Sequence, residues 1–98
     1  MSDALTIRAA TPGDEAALRR LAALDSSAPL HGPSVLAERD DVAVAAVALT
    51  SGDVIADPFR RTADAVHMLR LRRYLLVRQS NDVGPGWLLL RRRRLALP

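Results

Sequence analysis

The chain has 98 residues, 49% hydrophobic and 26% charged, which gives room for one domain with one modest core and lacks the polar bias of a disordered segment. All fourteen basic residues are arginine and there is no cysteine, so disulfides, thiolate catalysis and Cys-type zinc or iron–sulfur sites are excluded. The net charge of +3 is unevenly placed: residues 1–78 hold ten arginines against ten acids, whereas residues 79–98 hold Arg91–Arg94 against Asp82 alone.

Leu5–Ala10 alternates, with Leu5, Ile7 and Ala9 on one face and Thr6, Arg8 and Ala10 on the other, which predicts a half-buried first strand. Thr11-Pro12-Gly13-Asp14 is a helix start: Thr11 can cap, proline fits the first helical position, and Asp14 completes an approximate capping box. The helix then presents Ala17, Leu18, Leu21, Ala22 and Leu24 on one side and ends near Leu24–Asp25. Residues 25–34 (DSSAPLHGPS) are a loop by composition.

Val35–Arg39 and Val42–Thr50 flank Asp40-Asp41 and predict an antiparallel hairpin with its turn type open, because Asp-Asp is a poorer turn pair than Asp-Gly. The second arm is apolar on both faces, Val42, Val44 and Ala46 against Ala43, Ala45, Val47 and Leu49. Such a strand belongs in the middle of a sheet covered on both sides. Ser51-Gly52 is a turn, and Asp53–Ala56 is a short fourth strand stopped by Asp57-Pro58. A second helix is predicted from a Thr62 cap to about Arg78, with an apolar side of Ala65, Val66, Met68, Leu69, Leu75 and Leu76. Its turn residues make Gln79–Gly86 a linker. Ser2-Asp3 opens the chain with no basic region before an apolar run, so no signal peptide is read, and no apolar stretch approaches the ~20 residues that span a bilayer. A cytoplasmic location is expected.

Three passages together resemble the N-terminal part of the GNAT acyltransferase superfamily. Leu5–Leu18 (LTIRAATPGDEAAL) is similar to the family's opening strand and first helix, where an "IR-x-A-T-x-x-D" entry is common. Val35–Ala46 is similar to its second and third strands, and Ile55–Arg61 (IADPFRR) to the end of its fourth strand. The resemblance covers roughly residues 4–78. It implies an α/β fold of the α+β kind: a truncated, mainly antiparallel four-stranded sheet with two helices in the order β-α-β-β-β-α. Residues 1–78 would form this half domain, and residues 79–98 a linker with a loosely ordered basic and apolar tail.

In that family acetyl-CoA lies between the fourth and fifth strands, its pyrophosphate on backbone N–H groups of a Q/R-x-x-G-x-G/A loop that opens the next helix. The physics is that of any helix start, with unpaired donors at the positive dipole end. By resemblance, the cofactor-binding residues here would be Arg60, Arg61, Thr62, Ala63 and Ala65. Starting at Arg60, the pattern reads R-x-x-Ala63-x-Ala65 and lacks the first glycine; starting at Arg61, Asp64 and Val66 stand where small residues belong. Asp64 and Thr62 are therefore expected to cap the helix internally and occupy the donors that the cofactor needs.

The family's later strands supply the other wall of the cleft and often a tyrosine general acid. Tyr74 lies inside the second helix and does not match it. The expectation is a degenerate, non-catalytic domain, a small-molecule or protein-binding module. In the alternative it is an N-acetyltransferase active only if a second chain completes the cleft.

Glu38 is the catalytic candidate, since a carboxylate at that strand end can deprotonate an amine acceptor by resemblance, and otherwise it reads as a plain hairpin charge. Asp64 and His67 make only two ligands, too few for structural zinc, and no metal site is expected. His31 lies in the proline-rich loop that borders the acceptor side by resemblance, and otherwise reads as a solvated loop residue. Ser26, Ser27 and Ser80 have no nucleophile-elbow context. Arg70, Arg72 and Arg73 read as a solvated face. Arg91–Arg94 beside Trp87–Leu90 offer an anionic-surface alternative, whereas specific nucleic-acid recognition is not expected without an aromatic platform. The exposed edge of the fourth strand is the expected site of a homodimer or protein partner.

Overall fold

A computed structural model describes the backbone of residues 4–96 and the side chains of residues 4–79. The chain is an α+β fold in which four antiparallel strands lie in sequence order: β1 (Leu5–Ala9), β2 (Ser34–Arg39), β3 (Val42–Ala48) and β4 (Val54–Ala56). Between β1 and β2 comes a 3-10 turn (Pro12–Asp14) leading into helix α1 (Glu15–Leu24), and after β4 comes helix α2 (Ala63–Ala96). The order β-α-β-β-β-α is the expected one.

The local chemistry explains these elements. Asp14 accepts from the Thr11 N–H at 2.7 Å and from the Thr11 hydroxyl at 3.0 Å, closing the predicted helix entry. At the other end of α1 the Ser27 N–H donates to the Ala22 carbonyl and the Ser26 N–H to that of Ala23. This is a Schellman stop, with Ser26 in the left-handed region at φ 55°. Asp40 and Asp41 take φ 56° and 64°. Positive values at both centres make the β2–β3 turn type I′, whose twist suits a two-residue hairpin.

The sheet is covered on both faces. On one side Leu21 and Ala22 of α1 pack against Leu36, Ala43, Ala46 and Ile55. On the other, Ala65 and Leu69 of α2 pack against Val35, Ala37, Val44, Ala45 and Val47. Strand β3 is buried on both faces, as its composition implied, but its alternation is not the simple one. A β-bulge falls where Ala37 pairs with Ala45 and Glu38 with Ala43, leaving Val44 extra. Val44 therefore joins Ala45 and Val47 on the α2 side, and Ala43 joins Ala46 on the α1 side. The predicted faces are corrected over that stretch.

Helix α2 runs alongside β3 in the same direction. At its start Arg39, beside the first residue of β3, reaches the Arg61 carbonyl and the Asp64 carboxylate. Near the far end of β3, Arg73 donates to the carbonyls of Leu49 at 2.8 Å and Thr50 at 3.3 Å. Gly52, at φ +81°, lies under this guanidinium, so that a Cβ there would meet Arg73 Cζ at 3.2 Å.

Past Arg73 the described side chains, Tyr74 to Gln79, are all exposed. Leu75 and Leu76, predicted on the packed side, are exposed. The predicted helix end near Arg78 and the linker over 79–86 are also corrected, since the backbone stays helical to Ala96. Once a turn is nucleated, each further residue gains a hydrogen bond for one residue fixed. Gly84, Pro85 and Gly86 fall within this span and disfavour a helix, proline having no N–H to donate, and nothing in the structure explains their place in it. The side chains of Ser80, Trp87–Leu90 and Arg91–Arg94 lie outside the described residues.

Candidate functional site

The turn from β4 into α2 is where a helix start offers backbone donors, and its residues are held by charged partners. Asp57 is 5% exposed and accepts the Phe59 N–H at 2.9 Å, with the guanidinium groups of Arg60 at 3.9 Å and Arg20 at 4.0 Å. That turn projects Phe59, Arg60 and Arg61 outward. Thr62 occupies the N-cap position of α2, and its carbonyl accepts the Val66 N–H at 2.8 Å. Ala63 is exposed, whereas the methyl of Ala65 is buried in the core under the helix.

Asp64 closes this turn. Its Oδ1 accepts the Ala65 N–H at 2.8 Å, and its Oδ2 accepts from Nη2 of Arg39 at 2.5 Å. Burial pushes the Asp64 carboxyl up, but the Arg39 and Ala65 hydrogen bonds outweigh this and leave it below its ordinary value. A negative charge is thus already seated on a first-turn amide, that of Ala65, and matched by an arginine. His67, three residues on, is exposed, and the Asp64 carboxylate that it would share a metal with is committed to Arg39. Among the described residues no group of three His, Asp or Glu side chains converges to hold a metal.

Glu38 is equally committed. The Arg8 guanidinium donates to both carboxylate oxygens of Glu38, at 3.1 and 3.2 Å, and to both of Asp14, at 2.8 and 2.7 Å. Thr6 stands opposite Glu38 in the β1–β2 register, so Arg8 and Glu38 are diagonal neighbours on one face. Hydrogen bonds from Arg8 and from the Thr11 N–H hold the Asp14 carboxyl well below the usual carboxylate range. This fork ties the entry of α1 to two strands. Only the register of β1 on β2, two strands separated in the chain by α1, would have revealed its Glu38 arm from the sequence.

Two cavities lie on the α1 side. One of about 380 Å³ opens between residues 27–31 and the β3–β4 turn, lined by Leu30, His31, Thr50, Ser51, Asp53 and Ile55 among others. The other, about 350 Å³, is lined by Thr11, Glu15, Leu18 and Ser34 among others. Each contains a carboxylate, and neither is lined by an arginine. His31 stands at a cavity wall, while Glu38 lines neither cavity.

The edge of β4 is partly closed. Hydrogen bonds from Ala48 N–H to the Asp53 carbonyl and from Asp57 N–H to the Val44 carbonyl set the ladder. By the alternation of an antiparallel pair, Ala56 faces its N–H away from β3, and that N–H donates to Asp25 Oδ2 at 3.3 Å. The edge is three residues long, and Val54 supplies its remaining outward N–H.

What sequence reasoning missed is the outer surface of α2. Met68, Leu71, Tyr74, Leu75, Leu76 and Val77 are all exposed. The signal was available: an apolar run at every helical angle cannot be buried against one sheet. No helix among the described residues is long and apolar enough to cross a membrane. No family model, curated protein or solved structure matches the chain.

Proposed function

We propose that this chain is a GNAT-like half domain that has lost its coenzyme site and works as a protein-binding module rather than as an acetyltransferase. The observation that carries this reading is the Asp64 carboxylate on the first-turn amide of Ala65, paired with Arg39. A diphosphate seated at the same helix start would meet a like charge and would have to take the amide from Asp64 and the guanidinium from it as well. The residues present at Arg60–Ala65 do not fit acetyl-CoA.

Three further observations support the reading. The element order, with α2 following β4, agrees with the layout that the resemblance implies. Both described cavities carry a carboxylate and no arginine, the wrong charge for a nucleotide phosphate. Glu38, the expected base, has both oxygens on Arg8. What the chain does offer is exposed apolar helix surface, the usual mark of a protein-binding face.

Calorimetric titration with acetyl-CoA tests this. No saturable heat is expected up to about millimolar ligand, and a micromolar dissociation constant, near −8 kcal/mol, would end the proposal.

A further inference from the structure

We propose that residues 68–77 of α2 are a docking surface for an acidic helical segment of a different protein. This rests on the protein-binding reading above and names its surface and its partner's chemistry.

The surface is defined by where α2 leaves the sheet. Ala65 and Leu69 are fully buried, and Arg73 clamps the helix to the end of β3. Immediately beyond, Tyr74, Leu75, Leu76 and Val77 are 56%, 49%, 37% and 36% exposed. Successive helical residues turn by about 100°, so these four side chains point in four directions around the axis. Met68 and Leu71, at 41% and 43%, extend the apolar surface back along the flank of the domain. The backbone of residues 80–96 continues the same helix, and that stretch brings Arg91–Arg94 against Asp82 alone, the same sign of charge as the surface itself.

The distribution of apolar residues argues against a lipid surface. A helix lying on a membrane buries one side and presents a polar opposite side. Here a plane that covers Leu75 leaves Val77 in water. An occupant that wraps the helix, as packed helices do, can cover both.

Charge then selects among protein occupants. From Ala65 to Gln79 the chain carries Arg70, Arg72, Arg73 and Arg78 and no acid. Arg73 is engaged with backbone carbonyls, while Arg70, Arg72 and Arg78 are exposed. A second copy brings the same cations: an antiparallel crossing centred on Tyr74 sets Arg70 against Arg78, and a parallel one sets Arg72 against Arg72. Such like-charge neighbours oppose association. A partner helix with acids flanking an apolar stripe satisfies both requirements.

The test displays two libraries of helical peptides of about 18 residues, with leucine on one stripe and either glutamate or lysine elsewhere. The full chain is the bait. Retention of the glutamate library over the lysine library by at least about tenfold, weakening as salt rises, is the expected result. The Leu71→Ser/Leu75→Ser variant should lose it while still melting cooperatively within about 10 °C of the wild type, since both residues are exposed. The Arg72→Glu/Arg78→Glu variant should reverse the preference.

Equal retention of the two libraries, or none, overturns the proposal. So does binding to phosphatidylserine vesicles without peptide enrichment, or a concentration-dependent shift to dimer mass. A coenzyme A titration of the same sample separates two kinds of failure. Coenzyme binding removes the proposed function itself, whereas no binding and no enrichment removes only this docking surface.

Discussion

Replacing Leu69 by alanine tests how α2 is held on the sheet, since Ala65 and Leu69 are the buried residues of its described side chains. Leu69 is fully buried and packs with Ala65 among Val35, Ala37, Val44, Ala45 and Val47. The substitution deletes three carbon groups, a transfer loss of about 2.4 kcal/mol at ~0.8 kcal/mol each. The strands beneath are mostly alanine and valine and cannot lean far into the gap, so a cavity term adds to this and brings the cost to about 3–4 kcal/mol. Against a domain stability of roughly 5–15 kcal/mol that is a large fraction. For a chain of this size it lowers the melting temperature by roughly 12–32 °C. Leu75→Ala, at a site 49% exposed beyond the Arg73 clamp, should cost under about 0.5 kcal/mol. Urea denaturation followed by circular dichroism measures both. Similar costs for the two substitutions would mean that the helix beyond Arg73 is packed, and the description of α2 given above would be wrong.

Two of the three left-handed positions outside glycine, Ser26 and Asp41, are open to improvement. Ser26→Gly and Asp41→Gly should each raise stability by about 1 kcal/mol, since an L side chain at positive φ costs roughly 1–2 kcal/mol; a lowered urea midpoint in either variant would refute the turn assignments. Gly52→Ala should cost about 1–2 kcal/mol from its φ alone. It should also speed hydrogen exchange in α2 around Arg73, because the new methyl pushes on that guanidinium; exchange unchanged there would deny the clamp. The carboxyls of Asp14 and Asp64 lie below their ordinary value near 3.8. Their contribution to stability is therefore complete above that value and is lost as pH falls through the depressed folded values. The urea midpoint should lose these two contributions below about pH 4, and Asp14→Asn should flatten that acid limb; an acid limb unchanged by the substitution would contradict the Arg8–Asp14 pairing.

Residues 25–31 shape both the stability and the binding surfaces of the α1 side. The Asp25 carboxylate at the end of α1 takes the outward N–H of Ala56 and the Ser27 hydroxyl. One device thus stops the helix, ties the loop and blunts the edge strand, which otherwise invites pairing with another chain. It also moves the interest in partner binding from β4, where the sequence placed it, to the unsupported half of α2.

The features that the sequence determined alone are those whose cause lies within a few residues. The alternation of Leu5–Ala9, the Thr11–Asp14 helix entry, the position of the Asp40-Asp41 turn and the double-sided burial of β3 follow from side-chain period and turn chemistry. The same locality carried the expectation that Asp64 holds an amide of its own helix start. Only the tertiary structure decided the rest. The bulge that turns Val44 to the α2 side depends on register across two strands. The commitment of Glu38 to Arg8 joins residues 30 positions apart, and that of Asp64 to Arg39 residues 25 apart. Where α2 loses its support is fixed by the length of β3 against which it lies, and nothing in the helix's own sequence encodes that length. Periodicity states which faces are apolar. Whether each face is covered depends on how far its neighbour extends, which is a property of the assembled sheet.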